Sequence, residues 1–269
     1  MNAKNILKTI KRKLHSEESQ AENPLDAIKR SPRYTPGEFL FNGNKITFPD
    51  AASFAAILEE VFQKNVYKFI SNKPAPVIID CGANIGISAI YFKQLFPNSK
   101  IWAFEPDTTI FRYLTQNIAS FQYNDITLIN KGVWKEDTEL KFLSEGADAG
   151  RVIKGQPEAN ATNINKIEVE RLSKYINQEV DFLKIDIEGS EVEVITEIED
   201  KLHYVNNIFI EYHSFVNKSQ ELDKILTILS RNNFRYYIYS PSKLRQQPFI
   251  DKTEVLSIDC LLNICATKL

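Results

Sequence analysis

Two acids, two glycines and an asparagine stand at spacings that suit the binding of a ribose-containing ligand. The segment Asp80-Cys81-Gly82-Ala83-Asn84-Ile85-Gly86 follows the apolar run VIID (77–80) and leads into a helical pattern. Glycine lets the backbone approach a ligand closely, asparagine tolerates left-handed turns, and a helix N-terminus offers free N–H groups. Glu105 follows Gly86 by nineteen residues, and a carboxylate at that distance can accept both hydroxyls of a ribose.

The same loop restricts the class of ligand. A dinucleotide pattern G-x-G-x-x-G that began at Gly82 would need glycine at positions 84 and 87, where the sequence has Asn84 and Ile87. Asp80 would repel a pyrophosphate, whereas it would attract a ligand that carries an ammonium and a sulfonium group. S-adenosylmethionine has both groups and a ribose, so we predict a site for this molecule rather than for a nicotinamide cofactor. The alternative is a tight strand-to-helix turn that binds no ligand.

A second group of polar residues lies near the ends of two later apolar runs. Asp186 stands in FLKIDI (182–187), while Glu211 and His213 end NIFIEYH (207–213). Residues two apart share one face of a strand, so Glu211 and His213 point the same way. Methyl transfer needs an aligned acceptor and a group that removes its proton. We predict His213 as this general base, because imidazole titrates near neutral pH, with Asp186 and Glu211 beside it; the alternative is a structural histidine.

These oxygen-rich side chains could instead hold a metal ion. Asp186, Glu188, Glu211 and His213 together could bind Mg²⁺ or Mn²⁺, which would acidify a sugar hydroxyl. Nothing in their spacing requires a metal. A divalent ion is therefore an alternative, and the prediction assigns no metal ligand.

The elements that would position these residues alternate along the chain. Five short apolar runs are predicted strands, at 77–80, 100–104, 126–130, 182–187 and 207–213. Helical patterns lie between and after them, as in a parallel sheet that helices cover on both faces. Two further runs, 234–240 and 261–268, have no helical pattern between them and are predicted to pair antiparallel. The predicted fold is α/β: a doubly wound, mostly parallel sheet of seven strands with one antiparallel strand near an edge.

An extension precedes this sheet, and one irregular stretch interrupts it. FLFNGNKITF (39–48) predicts a hairpin around Asn-Gly, and Pro49-Asp50 predicts the start of a helix from about Ala51 to Ile70. Residues 144–165 are rich in Gly, Asn and Ala and are predicted to form a long functional loop. The predicted parts are a basic tail with a polar linker (1–36), the hairpin and helix (37–73), and the ligand-binding catalytic domain (74–269).

Composition excludes several classes of protein. Of the 269 residues 43% are hydrophobic and 25% charged, which is unlike a disordered or collagen-like chain. The 33 lysines and arginines against 35 acids leave a net charge of -2, so we predict no nucleic-acid partner. The three cysteines have no disulfide-framework or zinc-site spacing, which favours a reducing compartment. No apolar run approaches the roughly 18–20 residues that span a bilayer, so we expect a soluble, cytoplasmic protein.

The first residues, MNAKNILKTIKRKL (1–14), place basic residues around Ile and Leu at helical spacing. Such a segment could form an amphipathic helix that rests weakly on an anionic membrane surface, which would make the protein peripheral at the inner membrane face. The alternative is a solvated tail. No uninterrupted apolar stretch of a secretory signal follows the basic residues.

Several motifs together resemble the FkbM family of S-adenosylmethionine-dependent methyltransferases. They are VIIDCGANIGISAIYF (77–92), AFEPD (103–107), NKGVW (130–134), DFLKIDIEGSE (181–191) and IEYH (210–213). The resemblance covers roughly residues 38–269, and DFLKIDIEGSE is its most specific element. It implies a class I methyltransferase (Rossmann-like) fold, S-adenosylmethionine as methyl donor and usually a hydroxyl oxygen as acceptor, on glycans or natural products.

The resemblance also implies roles for individual residues. Residues Gly82, Asn84 and Gly86 would line the methionine part of the cofactor, with Asp80 near its ammonium group directly or through water. Glu105 would take the ribose hydroxyls. Near the adenine rim would lie Pro106 and Asp107, and Asn130 to Val133 would edge the adenine. Asp107 has a competing structural explanation, because it precedes a helical pattern and could be its N-cap.

The sequence therefore predicts an O-methyltransferase that acts on a carbohydrate, a glycan or a small hydroxylated metabolite. Residues 144–165 and the 38–70 unit would form the acceptor pocket. An N-methyltransferase and a catalytically idle, cofactor-binding scaffold protein are the alternatives.

Overall fold

The computed structural model describes residues 24–147, 150–154, 163–216, 218–242, 247, 249–250 and 258–269. The strands of this part of the chain are β1 (Gly37–Phe41), β2 (Asn44–Phe48), β3 (Val77–Cys81), β4 (Lys100–Phe104), β5 (Ile126–Ile129), β6 (Gly132–Trp134), β7 (Thr138–Leu143), β8 (Arg151–Val152), β9 (Ile164–Arg171), β10 (Phe182–Ile185), β11 (Asn207–Phe215), β12 (Phe234–Tyr239) and β13 (Ile258–Lys268). The α-helices are α1 (Pro24–Lys29), α2 (Ala51–Leu58), α3 (Ile87–Leu95), α4 (Thr108–Ser120), α5 (Glu191–Glu197) and α6 (Leu222–Arg231).

Seven strands form the central sheet in the order β12-β13-β11-β10-β3-β4-β5. The pairs from β11 through β10, β3 and β4 to β5 are parallel, and β13 runs antiparallel between β11 and β12. Strand β3 is buried along its whole length, because both of its faces are covered. The predicted α/β fold, with its seven strands and one antiparallel strand near an edge, is confirmed.

Helices cover the sheet on both faces, each over its own apolar core. Helices α2, α3 and α4 pack on the face that carries Ile78 and Phe209. Helices α5 and α6 pack on the other face, which carries Ile79 and Ile210. The alternation along β3 and β11 follows from the period of two in a strand. Glu211 lies on the Phe209 face of β11 and therefore on the side of the sheet that α2, α3 and α4 cover.

The hairpin of β1 and β2 is confirmed, and Asp50 caps α2 by accepting a hydrogen bond from the Ala52 N–H at 3.0 Å. The expectation that this helix continues to Ile70 is wrong. Helix α2 ends at Leu58 and passes into one turn of π-helix, Glu59–Gln63, which we call the π-turn. Asn65 then takes a left-handed φ of 54°, a conformation that cannot continue a helix.

A buried asparagine ties the hairpin to the ligand loop. The Nδ2 of Asn117, on α4, donates to the carbonyls of Thr47 at 2.9 Å and of Ile85 at 2.8 Å, and its Oδ1 accepts from the Thr47 N–H at 2.8 Å. These three bonds satisfy an amide that is fully buried. The extension is thus fixed beside the predicted cofactor site.

A second, four-stranded sheet of order β6-β9-β7-β8 lies in the chain between β5 and β10, and the sequence analysis did not predict it. Its strands β8 and β9 include part of the 144–165 stretch, which was expected to be irregular. Residues 148–149 and 155–162 of that stretch lie outside the described residues. The described part of this stretch therefore contributes the edge strand β8 and the first residues of the inner strand β9.

Residues 1–14, the predicted amphipathic segment, lie outside the described residues. Within the described part of the chain, no helix has the length and apolar character that crossing a membrane requires. Ser190 precedes α5, but its hydroxyl bonds to no residue that the structure describes, and Glu193 of that helix pairs with Lys154 at 2.5 Å.

Candidate active site

A cavity of about 410 Å³ opens where the carboxyl ends of β3, β4, β10 and β11 meet, which is the usual ligand position in a doubly wound sheet. Its volume lies within the range of small-molecule sites. The predicted site residues that line it are Gly82, Asn84, Glu105, Pro106, Asp107, Asp186, Glu211 and His213. Further lining comes from the π-turn and from the second sheet, through Glu60 and Phe142.

Only glycine fits at position 82. Gly82 has a φ of +81°, and a Cβ there would stand 1.8 Å from the carbonyl oxygen of Asp186. The N–H groups of Gly82 and Ala83 both donate to the Phe104 carbonyl, at 3.0 and 2.8 Å. Asn84 follows with a left-handed φ of 48°. The loop that follows β3 therefore packs closely against β4 and β10. Its backbone faces the cavity.

Glu105 extends from the end of β4 into the cavity wall and is nearly fully buried. Its Oε2 accepts from the Asn84 N–H at 3.0 Å and its Oε1 from the Asp107 N–H at 2.9 Å. Burial raises the pKa of this carboxyl to about 8, and the charge of Asp107 acts in the same direction. The structure thus fixes a carboxyl beside the glycine loop, as the binding of ribose hydroxyls requires.

Asp107 is the N-cap of α4, which was the structural alternative for this residue. Its Oδ1 accepts from the Thr109 N–H at 2.8 Å and the Ile110 N–H at 3.3 Å, which caps α4. The Ser144 hydroxyl donates to its other oxygen. Because Asp107 also lines the cavity, the cap and an adenine-rim position are compatible.

Asp80 and Gly86 lie behind the cavity wall. Asp80 is fully buried; it accepts from the Ser88 hydroxyl at 2.5 Å and lies 3.4 Å from the Lys184 ammonium group. Gly86 starts α3 with a φ of +93°, and a Cβ there would meet Leu114 at 2.8 Å. The positions of these two residues favour holding the loop over direct contact with a ligand, and their predicted contacts with the methionine part stay predictions.

Lys184 links Asp80 to the cavity. Its Nζ donates to the Gly82 carbonyl at 2.9 Å and lies 3.2 Å from Oδ2 of Asp186. Although burial favours the neutral amine, the charges of Asp186 and Asp80 raise the pKa of Lys184 well above its usual range. The result is a buried lysine that holds the glycine loop and Asp186 together.

Three carboxylates surround His213. Its Nδ1 lies 3.2 Å from Oε1 of Glu191, and its Nε2 lies 3.4 Å from both Glu188 Oε2 and Glu211 Oε1. Burial favours the neutral ring, yet these carboxylates raise the pKa of His213 well above its usual range. An imidazolium has no lone pair with which to accept a proton. The predicted role of general base is untested, and these surroundings weigh against it.

The carboxyls around the imidazolium are shifted toward their neutral, protonated form. Burial raises the pKa of Glu188 to about 8, and burial together with the charge of Asp186 raises the pKa of Glu211. Glu188 also has a left-handed φ of 54°, a strained conformation that is found at functional sites. A carboxyl with a pKa of about 8, such as that of Glu188, can exchange protons at working pH.

Sequence analysis missed one member of this group, Glu60. Burial raises the pKa of Glu60 to about 7, and the charges of Glu211 and Asp186 add to the effect. Its position in a helical pattern gave no signal, because a polar residue there is normally on the solvated face of the helix.

Asp186, Glu211 and His213 each present one atom that could ligate an ion, and these atoms lie within 4.8 Å of one another. Such a spacing could accept a divalent cation. The buried charges of Lys184 and His213 already compensate Asp186 and Glu211. We assign no metal to this group, and the alternative drawn from the sequence stays open.

The glycine cradle and the buried Glu105 fit S-adenosylmethionine, and sequence comparison agrees. The model of the methyltransferase FkbM domain matches residues 80–236. The chain is 26% identical over 191 residues to methyltransferase sdnD of Sordaria araneosa, which covers 58% of this chain and 73% of that protein. Methyltransferase 1 of Beauveria bassiana is 26% identical over 179 residues, with 58% and 72% covered.

Solved structures give a weaker likeness. An FkbM methyltransferase of Methylobacillus flagellatus aligns with a TM-score of 0.49 and 16% identity, over 73% of this chain and 45% of that chain. The present chain thus spans less than half of that solved relative. Because the FkbM model matches more than half of the 269 residues, the family is established from sequence. The chain belongs to the FkbM family and is an S-adenosylmethionine-dependent methyltransferase.

Proposed function

We propose that this methyltransferase acts on a hydroxyl oxygen of a carbohydrate, a glycan or a small hydroxylated metabolite. The observation that carries the proposal is the acid-rich end of the cavity, where Glu60, Glu188 and Glu211 have raised pKa values. Carboxylates accept hydrogen bonds from sugar hydroxyls, and a carboxyl that titrates near neutrality can take the proton that a hydroxyl must lose.

The residues divide into two groups along the cavity. Gly82, Asn84 and Glu105 would hold the cofactor, which when bound supplies a methyl group already activated by its sulfonium. Lys184 fixes the loop, and Asp186 lies beside its ammonium group. The imidazolium of His213 holds Glu188 and Glu211 in place by ion pairs, so that their oxygens are oriented before an acceptor arrives.

The same surplus of acids favours a second candidate, methyl transfer to an amine. Of the described residues, seven acids line the cavity, among them Glu60, Asp186, Glu188 and Glu211, against three cations in the same lining, Arg33, Lys184 and His213. An ammonium group would be attracted to such a site, and it would have to lose a proton before it could accept a methyl group. The idle scaffold that the sequence also allows would transfer no methyl group at all.

A matched acceptor panel separates these functions. Purified protein would be incubated with methyl-labelled S-adenosylmethionine and pairs of neutral sugars and amino sugars that differ at one position. We expect label on an oxygen, located by mass spectrometry and NMR. Label on nitrogen alone would favour the amine acceptor. The panel would be extended to glycosides and hydroxylated metabolites. The idle scaffold is favoured if none of these acceptors is labelled by protein that binds S-adenosylhomocysteine.

A further inference from the structure

The π-turn places two adjacent glutamates in different surroundings. In this turn the Lys64 N–H donates to the Glu59 carbonyl at 3.0 Å, five residues back, which makes the turn wider than an α-helix. Glu59 pairs with Lys29 and lies 3.7 Å from Lys64. Glu60 is instead part of the cavity wall. Single π-turns within helices are frequent at functional sites.

From the sheet side, β13 brings a polar residue to Glu60. Asn263 is fully buried, and its Nδ2 lies 3.5 Å from Oε1 of Glu60 and 3.2 Å from the Tyr239 hydroxyl. Asn263 stands directly opposite Glu211 in the β11–β13 ladder. Directly opposite residues point to the same face of a sheet, with Cβ atoms about 4.5–5.5 Å apart. The helical layer and the sheet therefore bring Glu60 and Glu211 to one place in the cavity.

Within the part of the chain that the structure describes, the charged neighbours of Glu60 leave its carboxylate without an ion pair. Glu211 and Asp186 face it from the sheet, and Lys64 attracts it from its own helix without close contact. Tyr67 lies beside it, under the ammonium of Lys184. Among the described residues, no lysine, arginine or histidine nitrogen comes within the 4.0 Å of a salt bridge to Glu60, whereas Glu211 and Glu188 both have His213.

We propose that Glu60 is the general base that removes the proton of the acceptor hydroxyl, an inference that rests on the proposed O-methylation. The acceptor O–H bond breaks and the proton passes to the Glu60 carboxylate. The oxygen electron pair forms the bond to the methyl carbon, while the electrons of the carbon–sulfur bond remain on sulfur. The products are the methyl ether and S-adenosylhomocysteine, and the proton leaves Glu60 for solvent. Glu60 lies outside the segment that matches the FkbM model.

The test compares Glu60→Gln with Glu59→Gln, its neighbour in the same turn. Infrared difference spectra across neutral pH report protonated carboxyls directly and need no acceptor. Because Glu105 and Glu188 also titrate near pH 8, we expect the infrared signal of carboxyls that titrate around neutral pH to lose the amplitude of one group in Glu60→Gln and to be unchanged in Glu59→Gln. Calorimetry with S-adenosylhomocysteine should give similar affinities for all three proteins, which shows that the cofactor site is folded. Glu60→Asp keeps a carboxylate and serves if the glutamine variant does not fold.

Activity then completes the test with the hydroxyl acceptor found in the panel. We expect kcat to fall about 10²–10⁴-fold in Glu60→Gln, with loss of the rise in rate around pH 7, and to change little in Glu59→Gln. A Glu60→Gln protein that keeps its rate within tenfold, or whose infrared carboxyl signal around neutral pH has the full wild-type amplitude, overturns the assignment while O-methylation stands. Transfer to amines alone overturns the proposed O-methylation itself, whatever the infrared result.

Discussion

Gly82 and the carbonyl of Asp186 approach so closely that a Cβ on residue 82 would stand 1.8 Å from the oxygen. Gly82→Ala must therefore displace the loop or the end of β10. We expect at least a tenfold loss of S-adenosylhomocysteine affinity, measured by calorimetry, in protein that stays folded by circular dichroism. Gly43→Ala is the matched control, since Gly43 has a φ of +80° but nothing within 4 Å of its Cβ position. Unchanged affinity in Gly82→Ala would mean that the loop does not hold the cofactor.

Cofactor binding should release a proton from Glu105. Its pKa is about 8 in the protein alone, so the carboxyl is mostly protonated at pH 7. Ribose hydroxyls donate to the ionised form and favour it, which lowers the pKa on binding. Affinity for S-adenosylhomocysteine should therefore rise between about pH 6 and 8, and calorimetry in two buffers of different ionisation enthalpy should detect the released proton.

Glu105→Gln supplies the control for that linkage. The variant should bind about 10- to 100-fold more weakly, the usual loss when a hydrogen bond to a charged group is removed, and its affinity should not depend on pH in this range. A wild-type protein whose binding releases no proton would contradict the placement of ribose at Glu105.

The free energy of unfolding should fall as pH rises. Glu60, Glu105 and Glu188 have folded-state pKa values of about 7, 8 and 8, above the 4.3 or so of an unfolded chain. The folded protein then holds more protons than the unfolded one from about pH 5 to 8, so each pH step upward costs stability. His213 acts in the same direction. Its charged ring stabilises the folded state fully at pH values below the pKa of an unfolded histidine, and this stabilisation is lost as pH rises through the raised pKa of the folded state.

Urea unfolding at several pH values between about 5.5 and 8.5, without ligand, measures this trend. Glu105→Gln should show a shallower slope than the wild-type protein. Stability that increases with pH across this range would contradict the burial of these carboxyls.

Removal of the His213 charge should lower the free energy of unfolding strongly. It should change the pH dependence of the rate much less. His213→Gln leaves Glu188, Glu191 and Glu211 together without their cation, and breaking a buried ion pair costs about 3–5 kcal/mol. We expect the loss to be smaller at acidic pH, where the carboxyls gain protons. His203→Gln, at an exposed histidine, should change stability by less than about 0.5 kcal/mol.

The same variant separates two assignments of the base. If a carboxyl accepts the acceptor proton, the residual activity of His213→Gln keeps a rise in rate near neutral pH. A flat profile in His213→Gln, with an unchanged profile in Glu60→Gln, would restore the histidine as base.

The sequence predicted the central sheet because its strands are continuous apolar runs, and burial on both faces leaves little freedom for another arrangement. It did not predict the second sheet, since TELKFL and INKIEVER in β7 and β9 carry many polar residues and pair across a long intervening stretch. Their exposed faces give no strong pattern. Whether such segments form strands depends on their pairing with distant parts of the chain.

The candidate site, like the fold, was predicted only in part. The cofactor loop and Glu105 follow from local spacing, whereas the surroundings of His213 depend on three acids that tertiary packing brings together. Glu60 was missed because a π-turn has no recognised sequence pattern, and an acid within a predicted helix normally lies on its solvated face.

Strand β13 enters the sheet last in chain order, although it lies between β11 and β12. During synthesis on the ribosome, β11 is therefore complete for more than forty residues before its neighbour is made. Until then its edge exposes unpaired N–H and C=O groups, which is the surface that promotes aggregation. A chain stalled before residue 258 would lack Asn263 as well as this edge protection. Insertion of β13 therefore covers the edge of β11 and brings Asn263 to the pocket in the same folding step.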